Sequence, residues 1–403
     1  MPLFGMTDAK IESYEAQLSP ETRNFVQLSI EKIVKAKETG KKVVVILGSG
    51  PNLHEGVTTL MAELMDKGLV DGLSTSSAVI SHELAGVLDK VKRVNGVKLG
   101  INKNLLPKGE FFEITQLPPT WFDVIDQEMN IDHELMQRGN QLEGDVIIKA
   151  AGNMGYPMGL RSERIAKEIL GIAKAYGVPF EAAAGWGADP YTMIGSGARK
   201  ELPVLVSVPQ LIGGGGVGLC IGDSISITER CMKMAQMLGS ADVLIESAVA
   251  LTQEIHDGPF ETYTGHGVWG YWDGYKSYSL ENKTLIRIDL DPNLKRAWDM
   301  QRQDSSVQNA INKGLPKTKL TGIPFRMEMS GFARLETSIP VVGDIGVVWP
   351  VIAWHVAKRL KIELDFINHP QQTEEGQRMR EWIVDEIRPF DREQMIKIGQ
   401  SRQ

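Results

Sequence analysis

The chain has 403 residues, of which 42% are hydrophobic and 24% charged, with a formal net charge of −7. That length suits one large α/β unit with additions, and the interspersed charges exclude a nucleic-acid-binding face, which would show clustered lysine and arginine. Two cysteines exclude a disulfide framework, and no run approaches the ~18 apolar residues of a membrane span. The opening Met1 to Met6 has neither the basic start nor the long apolar run of a signal peptide, so a reduced, cytoplasmic setting is expected.

In chain order, Ser19 is a good N-cap and Pro20 a good first helical residue for a helix through Val26, Ile30, Ile33 and Val34 to Gly40. Residues 1–42 therefore read as an N-terminal helical extension. Val43 to Leu47 is an unbroken apolar run, as in a strand buried on both faces of a parallel sheet. The glycine turn Gly48-Ser49-Gly50-Pro51-Asn52 follows. Val57, Leu60, Met61 and Leu64 then recur at helical spacing, Gly68 ends the helix, and the next strand runs from Leu69 to Ser74. Strand, glycine turn and helix place backbone N–H groups where a phosphate can bind, although the turn departs from Gly-x-Gly-x-x-Gly; a purely structural tight turn is the alternative.

Further along, Ser77 to Lys92 is expected to be helical and Val97 to Ile101 a strand. The polar stretch 123–144 is a cover segment or a subunit contact. Strands are expected at Val146 to Ile148, Val178 to Ala183, Val204 to Val208, Asp242 to Ser247, Thr284 to Leu290 and Ser338 to Val342. Helices are expected at Glu163 to Tyr176, Pro190 to Lys200 and Ile225 to Leu238, the last with a stripe of Ile227, Cys231, Met234 and Leu238. Alternating strand and helix from 43 to 361 mean an α/β fold: a doubly wound, mostly parallel, Rossmann-like sheet with helices on both faces. Residues 362–403 form a C-terminal helical tail.

In such a sheet the ligand crevice lies beyond the C-terminal strand ends. The polar residues expected there are Ser49, Asn52, His54 and Glu55; Thr75, Ser76, Ser77, His82 and Glu83; Gln210, the glycine run from Gly213 and Asp223; Glu246, Gln253, Glu254, His256 and Asp257; Asp289 and Asp291; and Asp344. Several have structural alternatives. Asp344 and Asp223 suit helix caps, Asp291-Pro292-Asn293 suits a turn, and either histidine can be a satisfied structural residue. His256 and His266, with no cysteine nearby, fit no standard zinc spacing, so no metal is expected. The segment 258–280 carries Phe260, Tyr263, Trp269, Tyr271, Trp272, Tyr275 and Tyr278, and is an active-site lid or a subunit interface.

Several segments resemble known families. Leu47 to Leu53, Ser74-Thr75-Ser76, Gly100-Ile101-Asn102 and Asn104 to Pro107 resemble deoxyhypusine synthase. His54 with Gly56, Val70-Asp71 and His82-Glu83 resemble equally well the C-terminal domain of archaeal ornithine cyclodeaminases and related LOR/SDH bifunctional-enzyme-like proteins. The likeness continues through Asp223, Ala241-Asp242, Ile288 to Pro292 and Gly343 to Gly346. The resemblance implies a deoxyhypusine synthase-like sheet that holds NAD, with Asn52, Thr75, Ser76, Glu83, Asp289 and Asp344 as cofactor contacts. Gly48, Ser49, Gly50, His54, Ser77, His82 and Asp291 join them as candidates from their position at strand ends. Gln253 and Glu254 would face the substrate. The resemblance also implies a homo-oligomer, a tetramer being one form.

The chain departs from the synthase in lacking its Trp-Gly-Lys segment: Trp269-Gly270 is followed by Tyr271, and Lys313-Gly314 has another context. Deoxyhypusine synthesis is therefore not expected. The expected function is an NAD-dependent enzyme on a small amine or amino acid, with hydride leaving the carbon that bears nitrogen and an imine forming, in a deaminase, lyase or amine-transfer reaction. Glu254 and His256 are assigned to proton transfer and Asp223 to substrate charge. A dehydrogenase releasing NADH and a non-catalytic nucleotide-binding subunit are the alternatives.

Overall fold

The structure is a computed structural model that describes residues 5–48, 50–152, 155–206, 214–248, 278, 282–289, 292–313, 322 and 338–402. Six parallel strands form the main sheet: β1 (Val43–Leu47), β2 (Gly72–Thr75), β6 (Val204–Val206), β7 (Val243–Ser247), β8 (Thr284–Asp289) and β9 (Ser338–Val342). Their order across the sheet is β6-β2-β1-β7-β8-β9. A separate antiparallel sheet, ordered β4-β3-β5, comprises β3 (Leu88–Asn95), β4 (Phe111–Thr115) and β5 (Asp145–Ala150).

The helices before this second sheet are α1 (Asp8–Glu15), α2 (Pro20–Glu38), α3 (Gly50–His54), α4 (Val57–Asp66) and α5 (Ser77–Leu84). Within and after it come α6 (Pro119–Glu128), α7 (His133–Gln141), α8 (Met158–Tyr176), α9 (Phe180–Gly187) and α10 (Met193–Lys200). The remainder of the chain adds α11 (Gly215–Gly222), α12 (Ile227–Ser240), α13 (Pro292–Gln303), α14 (Ser305–Asn312), α15 (Ile345–Leu360), α16 (Glu374–Glu386) and α17 (Arg392–Ser401).

All five residues of β1 are buried, and their alternation divides the core. Val43, Val45 and Leu47 pack with α2, α4 and α15, whereas Val44 and Ile46 pack with Met234, Ala235, Met237 and Leu238 of α12. Helices thus cover both faces, as an all-parallel sheet requires. Ser19 caps α2 as expected, its hydroxyl accepting from the Thr22 N–H at 3.1 Å, with Pro20 in the first turn. Residues of α1, α2, α16 and α17 belong to the same buried cluster as the main sheet. A third cluster, including Val94, Ile114, Ile125 and Met136, lies between the antiparallel sheet and α6 and α7.

Five expectations are corrected. The helix from Ser77 stops at Leu84, because the chain turns at Gly86 and Val87, both at positive φ (100° and 70°), and becomes β3. Val97 to Ile101 is no strand but a turn closed by Leu99 and Ile101 N–H groups on the Gly96 carbonyl. Val178 to Ala183 is not a strand either: Pro179 stands at the N-cap of α9. Val146 to Ile148 is a strand, but in the antiparallel sheet. The buried face of α12 is also turned from the expected stripe. Ile227 is exposed and Cys231 half-buried, while Arg230 points inward. Cys220 is buried on a different helix, α11.

Among the described residues no helix is long and apolar enough to cross a membrane.

Candidate active site at the sheet switch point

Renumbered in sheet terms, the strand order is that of the doubly wound dinucleotide-binding fold: three strands run one way from β1 and three the other way from β7. The order of strand addition therefore reverses between β1 and β7, where a doubly wound sheet places its crevice, beyond the C-terminal strand ends. A buried polar knot closes its floor. The Asn52 amide donates to the carbonyls of Gly48 at 3.2 Å and Ser247 at 3.0 Å, and its oxygen accepts from the Ser247 hydroxyl at 2.8 Å. Trp349 Nε1 donates to that same hydroxyl at 2.7 Å, and the Gly48 N–H donates to the Ser247 carbonyl at 3.0 Å.

Several sequence candidates are engaged in holding the fold. Ser76 caps α5 through the Val79 N–H. Asp344 caps α15, accepting from the Gly346 N–H at 2.9 Å. Glu83 is wholly buried, and its two oxygens accept from Met193 N–H at 2.7 Å and Ile194 N–H at 3.1 Å, at the start of α10. Burial pushes its carboxyl up to about 7, against those two hydrogen bonds. Asp223 lies at the C-terminal end of α11, exposed, paired with Lys174 at 2.6 Å. On the neighbouring strands, Glu246 and Arg287 form a buried pair at 2.8 Å.

Other candidates face the crevice with capacity to spare. A side chain at Gly50 would meet nothing within 4 Å, so the glycine turn is open. Thr75 ends β2 fully buried, and its hydroxyl has no partner among the described residues. Gly214 lies so close to Ser77, at the start of α5, that an added Cβ would fall 2.7 Å from the Ser77 hydroxyl. The loop before α11 therefore meets the loop after β2.

His54 and His82 stand at one side of the crevice, at the ends of α3 and α5. His54 Nδ1 is 3.4 Å from the Arg380 guanidinium, which also donates to the Ile148 carbonyl. Burial, then the nearby Arg380 and Lys149 charges, hold His54 below its ordinary range. Burial, His54 and Lys149 push His82 down to about 4. Its Nδ1 has no partner among the described residues. Gly152, at φ +107°, lies where an added Cβ would sit 2.7 Å from that nitrogen, so only glycine allows the approach. The turn beneath is strained: Val87 holds φ +70°, unusual for a β-branched residue, while its N–H donates to the His82 carbonyl at 2.8 Å.

Lys149 on β5 and Arg380 on α16 were not among the sequence candidates. Lys149 pairs with Glu113, which also holds Arg93 at 2.7 Å. A signal for Arg380 exists in the sequence. Gly376, Met379, Arg380 and Ile383, all buried, follow the i, i+3, i+4, i+7 spacing of an inward stripe, so the arginine occupies an apolar position. Ser49, Gln253, Glu254, His256 and Asp291 lie outside the described residues, as do the side chain of Asp289 and the aromatic segment 258–280 apart from Tyr278.

The chain thus has the architecture of a doubly wound α/β protein with its crevice at the switch point. No family model matches it, and no curated protein matches it. Solved structures similar to it belong to the groups that its sequence resembles. One is described as a conserved LOR/SDH protein from Methanococcus maripaludis S2, at 12% identity over 85% of this chain and 70% of that one, with a TM-score of 0.39. Another is AgrE in a ternary complex with ornithine and NAD+, at 14% identity and a TM-score of 0.40; this chain spans about a third (34%) of its length. A third is described as a deoxyhypusine synthase from Entamoeba histolytica, at 11% identity over 87% of this chain and 93% of that one, with a TM-score of 0.40. Values at this level leave substrate and chemistry to be argued from this chain's own residues.

Proposed function

We propose that this chain is an NAD-dependent enzyme acting on a small amine or amino acid at the crevice between β1 and β7. The observation that carries the reading is the strand order, which opens a crevice at the β1/β7 reversal directly above a glycine turn. The residues present fit a dinucleotide. The turn leaves room at Gly50 for close backbone approach, the buried Thr75 hydroxyl lacks a partner among the described residues, and Ser77 meets Gly214 at the start of α11. When bound, the dinucleotide supplies a hydride acceptor for the substrate carbon that bears nitrogen.

The remaining work falls to the protein. A proton must leave the substrate nitrogen, and we assign Glu254 and His256, on the segment after β7, to that transfer, with Gln253 facing the substrate. Asn52 ties the ends of β1 and β7 together through Gly48 and Ser247. Asp223, tied to Lys174 at the far end of α11, is left out of this assignment.

The test is mass spectrometry of the small molecules released on denaturing the purified protein, with calorimetric titration of NAD into the protein as the second arm. Retained NAD, or saturable NAD binding, supports the reading and directs a screen of amines and amino acids. Absence of both sinks it.

A further inference from the structure

The corner beside the crevice holds more hydrogen-bond donors than the fold uses. His54 comes from α3, His82 from α5, Lys149 from β5 and Arg380 from α16, so four elements distant in sequence bring nitrogen to one place. Arg380 is only 9% exposed. Its terminal nitrogen serves the Ile148 carbonyl and lies near His54 Nδ1, yet its Nε is buried without a partner among the described residues, as is His82 Nδ1. Buried polar nitrogens left unmatched are costly, about 1–3 kcal/mol each, unless a ligand satisfies them.

The charges around them do not cancel. Glu113 offsets Lys149. Glu55 attracts Arg380 at range, while its two oxygens accept from Gln371, through the backbone N–H and the side-chain amide, each at 2.8 Å. Among the described residues, Arg380 thus keeps a buried positive charge without a carboxylate hydrogen-bonded to it.

We propose that His82 and Arg380, flanked by His54 and Lys149, form an oxyanion subsite that takes the carboxylate of the substrate, which makes that substrate an amino acid and not a simple amine. The assignment rests on reading the adjacent crevice as the dinucleotide site. A guanidinium suits the task, since its planar fork matches two carboxylate oxygens. Low local polarity strengthens the pairing. The Gly152 backbone packs closely against His82 Nδ1, so a ligand oxygen reaching that nitrogen has to displace the Gly152 turn. His54 Nδ1, turned toward Arg380, holds the guanidinium from the side.

The test uses the full chain with isotopically labelled histidine rings, followed by nuclear magnetic resonance. Propionate, a carboxylate without an amine, is titrated in, and n-propylamine, an amine without a carboxylate, serves as the comparison. Propionate is expected to move the His82 and His54 ring signals saturably, and propylamine to leave them in place. His82→Gln and Arg380→Gln should each weaken propionate binding by about tenfold or more, and Lys90→Gln, an exposed lysine on the second sheet, should not.

Ring signals in the unaltered protein that ignore propionate overturn the proposal, and that arm needs no variant to fold. A second arm adds saturating NAD. Propionate binding that persists with NAD bound supports the carboxylate assignment. Loss of propionate binding, with NAD itself weakened by both variants, makes the corner a dinucleotide phosphate site and overturns it. Propionate binding intact in a protein that shows no calorimetric NAD signal supports the oxyanion subsite, and it is then the dinucleotide reading that fails.

Discussion

Two polar regions lie side by side at the C-terminal end of the main sheet, and they are built on opposite terms. Around Asn52, Ser247 and Trp349 every hydrogen bond is matched within the fold, and two strand ends are locked together as a result. Around His82 and Arg380, buried nitrogens are held in position by neighbours that leave part of their capacity unused. Matched polar groups stabilise a fold and then have nothing left for a ligand. Unmatched ones destabilise it until a ligand arrives. Stability measurements can therefore separate structural from functional polarity before any substrate is known.

The largest effect is expected at a buried ion pair, although the Nε of its arginine, Arg230, has no partner among the described residues. Arg230 and Glu181 form a buried pair at 2.5 Å, and Arg230 also serves the Val206 and Ile221 carbonyls. Arg230→Met strands the Glu181 charge and should lower stability by about 3–5 kcal/mol in urea unfolding, whereas the double change with Glu181→Leu should recover much of that loss. A single change costing under about 1 kcal/mol would show that this region is not held as described.

Glu83 tests matched polarity against pH. Its folded value of about 7 lies above the ordinary 4.5, so the folded state binds the extra proton between those values, and stability falls as pH rises through that window. The total loss across that window amounts to about 3 kcal/mol at most. Subtracting the unfolding profile of Glu83→Gln from that of the unaltered protein should isolate it; parallel profiles from pH 4.5 to 7 would rule the buried acid out as its source.

His82 has the opposite sign. Its folded value of about 4 lies below 6.5, so the unfolded chain binds the extra proton, and stability is lost as pH falls from 6.5 toward 4. His82→Gln removes no hydrogen bond from Nδ1. It should therefore be nearly neutral at pH 7 and stabilise the protein relative to the unaltered chain by about 2 kcal/mol at pH 5. A large loss at pH 7 would mean that His82 is structural after all.

Local patterning accounts for what was legible in the sequence. The β1 run from Val43 to Leu47, the Ser19-Pro20 cap and the alternation of strands and helices through most of the chain each depend on neighbours close in sequence. The segment at Val178 misled for a physical reason: six residues, mostly apolar, with one proline fit a short strand or a helix start equally well, and packing of Phe180 and Ala183 in the core decides for the helix. The second sheet was hidden because β3 reads Leu-Asp-Lys-Val-Lys-Arg-Val-Asn, a mixed pattern compatible with a helical continuation from Ser77. Of the candidate site, His54, His82 and Thr75 were named from the sequence because they follow the first two strands closely in the chain. Lys149 and Arg380 come from elements that only the tertiary fold brings there; Lys149 looks like an ordinary solvated charge in the sequence, while Arg380 is marked only by its place on the inward stripe of α16.

The smallest effect is expected at Asp223, and it completes the contrast. This carboxylate drew attention because an acid after a glycine run can hold a ribose or a substrate cation, yet it ends α11 in solvent, and its partner Lys174 is half exposed as well. Water screens such a pair, and ordering two side chains offsets most of the attraction. Asp223→Asn should change stability by less than about 0.5 kcal/mol and leave propionate binding at the His82 corner untouched. An exposed acid and a buried arginine each carry one formal charge, but only the buried one is held where a ligand can satisfy what the fold leaves open. A measurable change in ligand binding on altering Asp223 would mean that the crevice reaches around α11, and the boundary between the two kinds of polarity would have to be redrawn there.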